Sequence, residues 1–113
     1  MKTASILDNI QYGEGRPAIS VMMDSEAGKE IRIVFKKGQV MQKHQAPFPI
    51  TVQVFDGCID FGVDGEVVKL NRGDMITLPG KMPHDLTAVE DSIVRLSLST
   101  ADTSDRVHDA VNQ

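Results

Sequence analysis

Hydrophobic residues recur at every second position through much of the chain. Ile31, Ile33 and Phe35 alternate with Glu30, Arg32, Val34 and Lys36, and Val94, Leu96 and Leu98 alternate with Arg95, Ser97 and Ser99. Successive side chains of a strand leave on opposite faces, so each run predicts a strand with one dry face. A third run, Ile50-Thr51-Val52-Gln53-Val54-Phe55, enters Asp56-Gly57 and resumes as Cys58-Ile59-Asp60-Phe61. Asp-Gly suits the positive φ angles of a tight turn, so a hairpin is predicted here. A second pair, Asp64-Gly65, leads into Glu66-Val67-Val68-Lys69-Leu70 and extends the expectation to a meander of three antiparallel strands. Asn71-Arg72-Gly73-Asp74 predicts another turn, Met75-Ile76-Thr77-Leu78 a short strand and Pro79-Gly80 a break. Short strands at short intervals predict an all-β barrel or sandwich. Helical spacing is hard to find before the last dozen residues. There Ser104 stands as a cap, and Val107, Ala110 and Val111 offer a small apolar face. The tail 100–113 is therefore expected to be a short C-terminal helix lying as a surface appendage.

Length and charge narrow the classes. A chain of 113 residues is one ordinary domain, without room for two cores, so 1–113 reads as a single unit. Its 12 Lys and Arg against 16 Asp and Glu give a formal net charge of −4, which disfavours nucleic acid and anionic membrane partners. Aromatic residues make up 4% with no Trp, too few for base-stacking platforms. A lone cysteine, Cys58, excludes an intrachain disulfide and a cysteine-rich zinc site, and fits a reducing compartment. No run approaches the roughly 20 apolar residues of a membrane span, and Asp8-Asn9 interrupt the start before a signal-peptide core forms. A cytoplasmic protein is expected. There is no Gly-x-Ser-x-Gly, phosphate-cradling glycine loop or His-Glu-x-x-His to suggest a hydrolase or kinase.

Two of the three histidines follow turns rich in Gly or Pro and flank short strands. His44 comes six residues after Gly38 and precedes Gln45-Ala46-Pro47-Phe48-Pro49; His84 ends Pro79-Gly80-Lys81-Met82-Pro83-His84. With Gly38, His44, Ala46, Ile50 and Gly57 in the slots of a first motif, and Gly73, Pro79, Lys81, His84 and Ala88 in those of a second, the segment 31–99 resembles the cupin superfamily. The glycine of the second motif is displaced to Gly80. The resemblance implies a double-stranded β-helix (jelly-roll) barrel. It also implies a homodimer, formed through an N-terminal strand or an outer sheet face, with the apolar segment Ile19 to Met23 as a candidate. Cupins usually hold one divalent transition metal with two His and a Glu from the first motif and a His from the second. Only His44 and His84 match; Ala46 and Ile50 carry no donor, and Ala88 replaces an Asn. Two imidazoles without a carboxylate make a weak site for zinc, iron, manganese or nickel. Of the neighbouring candidates to complete it, Gln53 points away from the face shared by Ile50, Val52 and Val54 unless a bulge intervenes. Asp85 is a further candidate, and parity leaves Cys58 and Asp60 open.

The expected ligand pocket lies at the barrel mouth, with His44 and His84 walled by Ile50, Val52, Phe48 and Met82. His44 and His84 are also the candidate metal ligands; no catalytic residue is assigned. Two functional readings stand side by side. One is a small-molecule-binding barrel with a degenerate metal site, acting as a sensor or accessory module. The other is a metal-dependent enzyme of dioxygenase or isomerase type using both histidines. A third class, a purely structural domain, predicts a filled barrel. The remaining methionines are read as core or dimer filling, and His108 as a residue of the polar tail.

Overall fold

Glycines and alternation together explain where the strands begin and stop. The computed structural model describes residues 1–112 and contains nine strands and one helix among them: β1 (Ala18–Ser25), β2 (Gly28–Phe35), β3 (Val40–His44), β4 (Ile50–Asp56), β5 (Cys58–Val63), β6 (Glu66–Asn71), β7 (Met75–Leu78), β8 (His84–Ala88), β9 (Ser92–Leu98) and α1 (Ser104–Val111). They form two sheets, one in the order β1-β2-β9-β4-β7 and one in the order β3-β8-β5-β6, with neighbours antiparallel throughout. The sheets face each other across a core that contains Ile31, Ile33 and Phe35 of β2, Ile50, Val52 and Val54 of β4, Ile59 and Phe61 of β5, and Val94, Leu96 and Leu98 of β9. The alternation predicted in β4 and β9 is the alternation observed; β2 departs from it, because Arg32 and Val34 on its other face are buried as well as Ile31, Ile33 and Phe35. Two antiparallel sheets packed face to face over one apolar core, with consecutive strands crossing between them, form a jelly-roll barrel.

The predicted meander is corrected. β5 and β6 do form a hairpin, with Asp64 and Gly65 both at positive φ (53° and 74°), as a two-residue turn of the primed type requires. β4 and β5 do not pair: β4 lies in the five-stranded sheet and β5 in the four-stranded one. Asp56-Gly57 is a corner that carries the chain from one sheet to the other, and Asn71-Arg72-Gly73-Asp74 is a second such corner between β6 and β7. Gly57 has φ 97°, and a Cβ there would sit 2.2 Å from Ser92 Oγ and 2.5 Å from the Asp91 carbonyl oxygen. Ser92 Oγ accepts from the Cys58 amide at 3.0 Å, so the corner is pinned to the start of β9. A positive-φ pair serves a sharp corner as well as a hairpin, and local sequence does not separate them.

The tail is not a surface appendage. α1 packs against β3 and β1, the edge strands of the two sheets, and closes the barrel on that side. Val107, Ala110 and Val111 belong to the main core. Lys29 Nζ donates to the carbonyls of Thr100 and Asp102 at 2.8 and 2.7 Å, and Arg16 Nη1 reaches Asn112 Oδ1 at 2.7 Å. The cap residue is Thr103 rather than Ser104, and it makes no side-chain capping bond. At the other end, residues before β1 lie over the outer face of β2, where Arg32 is buried and donates to the carbonyls of Ile6 and Asp8 at 3.1 and 2.7 Å.

Candidate functional site

His44 and His84 are register partners across the β3/β8 pairing. Met41 also faces the core, and residues 41 and 44 have opposite parity in a regular strand. An irregularity in register between Met41 and His44 resolves the conflict, letting both turn inward. The loops that deliver the two histidines are zipped together: the Lys81 amide donates to the Ala46 carbonyl at 2.6 Å, and a Cβ on Gly80 would lie 2.7 Å from the Pro47 carbonyl oxygen. Only glycine permits that approach. The displaced glycine of the second motif thus has a local reason.

The ring centroids are 4.4 Å apart with planes tilted by 57°. His84 is buried and stacks on Phe61, centroids 5.5 Å apart and planes within 7°. In each ring Nδ1 bonds the backbone carbonyl two residues upstream, Gln42 for His44 at 2.8 Å and Met82 for His84 at 2.9 Å. A carbonyl oxygen only accepts, so Nδ1 carries the proton in both neutral rings and Nε2 is a bare acceptor. Burial pushes the His44 pKa down to about 4; the bond to Gln42 opposes this, and the charges of His84 and Arg106 reinforce it more than Asp102 offsets it. His84 is also lowered, by burial first and by Arg106, against the raising effects of the Met82 bond and Asp85. Both imidazoles are neutral at pH 7.

The other predicted pocket residues are spread more widely. Ile50 and Val52 are buried in the core, Met82 packs partly buried against it, and Phe48 is more than a third exposed. Gln53 faces outward, as parity predicts, and borders a cleft of about 390 Å³ on the outer face of the larger sheet with Met22, Met23 and Phe55. Met82 and Asp85 border a second cleft, of about 470 Å³, with Lys43 and Glu66. Cys58 is buried with Sγ 3.6 Å from Asn71 Oδ1, and Asp60 pairs with Lys69 at 3.0 Å. Cys58, Asp60 and Asp85 do not gather with the two histidines into a metal-holding group.

The donor set does not fit a resident divalent metal. Among the described residues no three His, Cys, Asp or Glu side chains gather to hold one. The motif slots Ala46, Ile50 and Ala88 are buried and apolar, whereas catalytic metal sites supply three protein ligands. A cation is also already present in the neighbourhood. Arg106, on the third residue of α1, makes a bidentate pair with buried Asp102, Nε to Oδ1 at 3.1 Å and Nη2 to Oδ2 at 2.8 Å. Its charge is felt at both imidazoles and would oppose a second cation there. The sequence reading missed this residue. Its signal was the Asp102/Arg106 spacing of four beside the apolar face of Val107, Ala110 and Val111.

A jelly roll of nine strands in these two sheets, counted among the described residues, defines the double-stranded β-helix class. Solved structures agree. An RmlC-like cupin protein from Desulfovibrio desulfuricans is 26% identical, with 88% of this chain and 97% of that one covered at a TM-score of 0.81. An uncharacterised conserved protein with a double-stranded β-helix domain from Klebsiella pneumoniae is 19% identical over 91% of this chain and 94% of that one, with a TM-score of 0.79. A cupin 2 conserved barrel domain protein from Leptotrichia buccalis is 26% identical over 80% of this chain and 44% of that one, with a TM-score of 0.70. No protein-family model matches the sequence, and no curated protein does. The chain is a small domain of the cupin superfamily.

Proposed function

We propose that this protein is a small-molecule-binding barrel whose interior site works without a resident metal, in a sensor or accessory role. The observation that carries the reading is the pair of imidazoles tethered through Nδ1, with two Nε2 acceptors left bare and, among the described residues, no carboxylate or thiol gathered with them as a third ligand. Neutral acceptors in a largely apolar enclosure recognise a ligand that brings its own hydrogen-bond donor. Elemental analysis of untagged protein after dialysis tests this directly. Substoichiometric transition metal is expected; one tightly held equivalent would overturn the reading.

One observation favours the competing reading, a metal-dependent enzyme of dioxygenase or isomerase type. A histidine that ligates a metal through Nε2 commonly donates Nδ1–H to a carbonyl, as both rings do. On that reading zinc, iron, manganese or nickel is held by His44 and His84 alone. It requires His44→Ala and His84→Ala each to abolish metal uptake, and unchanged metal content in either variant counts decisively against it.

A further inference from the structure

The outer face of the five-stranded sheet carries polar groups that the interior reading leaves unused. A cleft of about 390 Å³ there spans four strands, from Met22 and Met23 on β1, past Glu30 on β2 and Arg95 on β9, to Gln53 and Phe55 on β4. Its volume falls within the roughly 300–1,000 Å³ of small-molecule sites. Adjacent residues of a regular strand leave on opposite faces, yet Met22 and Met23 both border the cleft, because the β1/β2 register shifts between Val21 and Met23. Ala4 and Ile6 form a further wall, tied down by the buried guanidinium of Arg32, which donates to the Ile6 and Asp8 carbonyls.

One ion pair sits in the middle of this cleft. Arg95 Nε donates to Glu30 Oε1 at 2.7 Å, and Ser97 Oγ donates to the same oxygen at 2.6 Å. Both bonds to the carboxylate fall on Oε1, and the half-exposed guanidinium spends only Nε, which leaves Glu30 Oε2 and the two Nη groups of Arg95 for a ligand. A lone carboxylate would meet Glu30 beside Arg95, and a lone amine would meet Arg95 beside Glu30. The zwitterion of an α-amino acid carries both charges on one carbon and satisfies the two groups together. We propose that this cleft binds a free amino acid with an apolar side chain. Its carboxylate accepts from the Nη–H groups of Arg95, its ammonium donates to Glu30 Oε2, and its side chain lies against Ile6, Met22 and Met23, whose flexible thioethers adapt to its shape. Phe55 borders the end of the cleft away from these three residues, on β4. The site is separate from His44 and His84, which belong to the four-stranded sheet, and stands independently of the interior reading.

Titration of the full chain, ¹³C-labelled at its methionine methyls, with L-methionine tests the proposal. The Met22 and Met23 signals are expected to shift saturably, with half-saturation at or below about 1 mM, while the signal of Met41, buried in the core, stays in place. Glycine lacks the side chain, N-acetyl-L-methionine the ammonium and L-methioninamide the carboxylate; each should bind at least about tenfold more weakly. Glu30→Gln and Arg95→Gln should each weaken L-methionine by a similar factor. Because either change alone strands the opposite charge, the double variant keeps the cleft neutral and should show at least the same loss, with an unchanged Met41 signal verifying its core. Any of the three control compounds binding as tightly as L-methionine, or undiminished affinity in the double variant, would overturn the inference. So would a shift at Met41 in place of Met22 and Met23, or no movement of either signal at concentrations up to about 50 mM.

Discussion

Acidification should loosen this protein through His44 before most carboxylates titrate. In the unfolded chain its imidazole takes a proton near the ordinary value of 6.5, whereas in the fold burial holds it to about 4. Between those values the unfolded state binds the proton and the folded state refuses it, so stability falls as pH drops through that window and levels off below it. The contribution is fully absent as a penalty above about pH 7. With allowance for solvent reaching this half-buried ring, the loss attributable to His44 is roughly 2 kcal/mol. Urea midpoints measured near neutrality and near pH 4.5 should therefore differ more for the natural chain than for His44→Gln, which has no proton to refuse. Equal slopes in the two proteins would show that His44 is not held neutral by the fold. The histidines themselves were legible in the sequence from their motif spacing. Their tautomer and low basicity were not, because both follow from carbonyls and apolar neighbours brought up by the register of β3 and β8.

Strands were readable because period-two alternation depends only on neighbours along the chain; the partner of each strand depends on corners whose chemistry resembles that of hairpins. Gly57 and Gly65 make the contrast testable. Both adopt positive φ, but a Cβ on Gly65 meets nothing within 4 Å, whereas on Gly57 it collides with Ser92 and Asp91. Gly65→Ala should cost about 1 kcal/mol for backbone strain alone, and Gly57→Ala about 3 kcal/mol because collision is added to the same strain. Equal denaturation midpoints for the two variants would contradict the assignment of Gly57 to a pinned corner. The helix gives a second contrast. Val107→Asp places an unpaired charge in the core and should cost about 3 kcal/mol or more. His108→Asp, one residue on and exposed, should change stability by less than about 0.5 kcal/mol. An appendage would tolerate both. The apolar face of α1 was visible in the sequence; where it docks was not, since the contacts of Val107 with the barrel join segments far apart in the chain, and Arg106 was overlooked for the same reason.

The distribution of apolar surface over the whole barrel bears on self-association, which the family resemblance leads one to expect. Two routes were open, the edge of the N-terminal strand and an outer sheet face. At the edge, α1 packs against β1 and competes there with the pairing of a second strand. The outer face of the five-stranded sheet is better suited. Phe55 lines its cleft with Met22, Met23 and Ile6, and Met75, 61% exposed, lies opposite Gln53 across the β4/β7 pairing on the same face. Val67, exposed still more at 72%, sits on β6 of the other sheet, at a cleft where charged Lys43, Asp64, Glu66 and Asp85 break up the apolar surface. Clustered apolar surface marks an interface where isolated exposed residues do not. Light scattering at micromolar concentration should accordingly find a dimer. Phe55→Glu combined with Met75→Glu should give a monomer, since two charges would be buried unpaired at the centre of the contact, while Val67→Glu should leave the dimer intact. A monomeric natural chain would defeat the dimer outright. Dissociation by Val67→Glu alone would move the interface to the smaller sheet, next to the strands that carry His84 and Phe61.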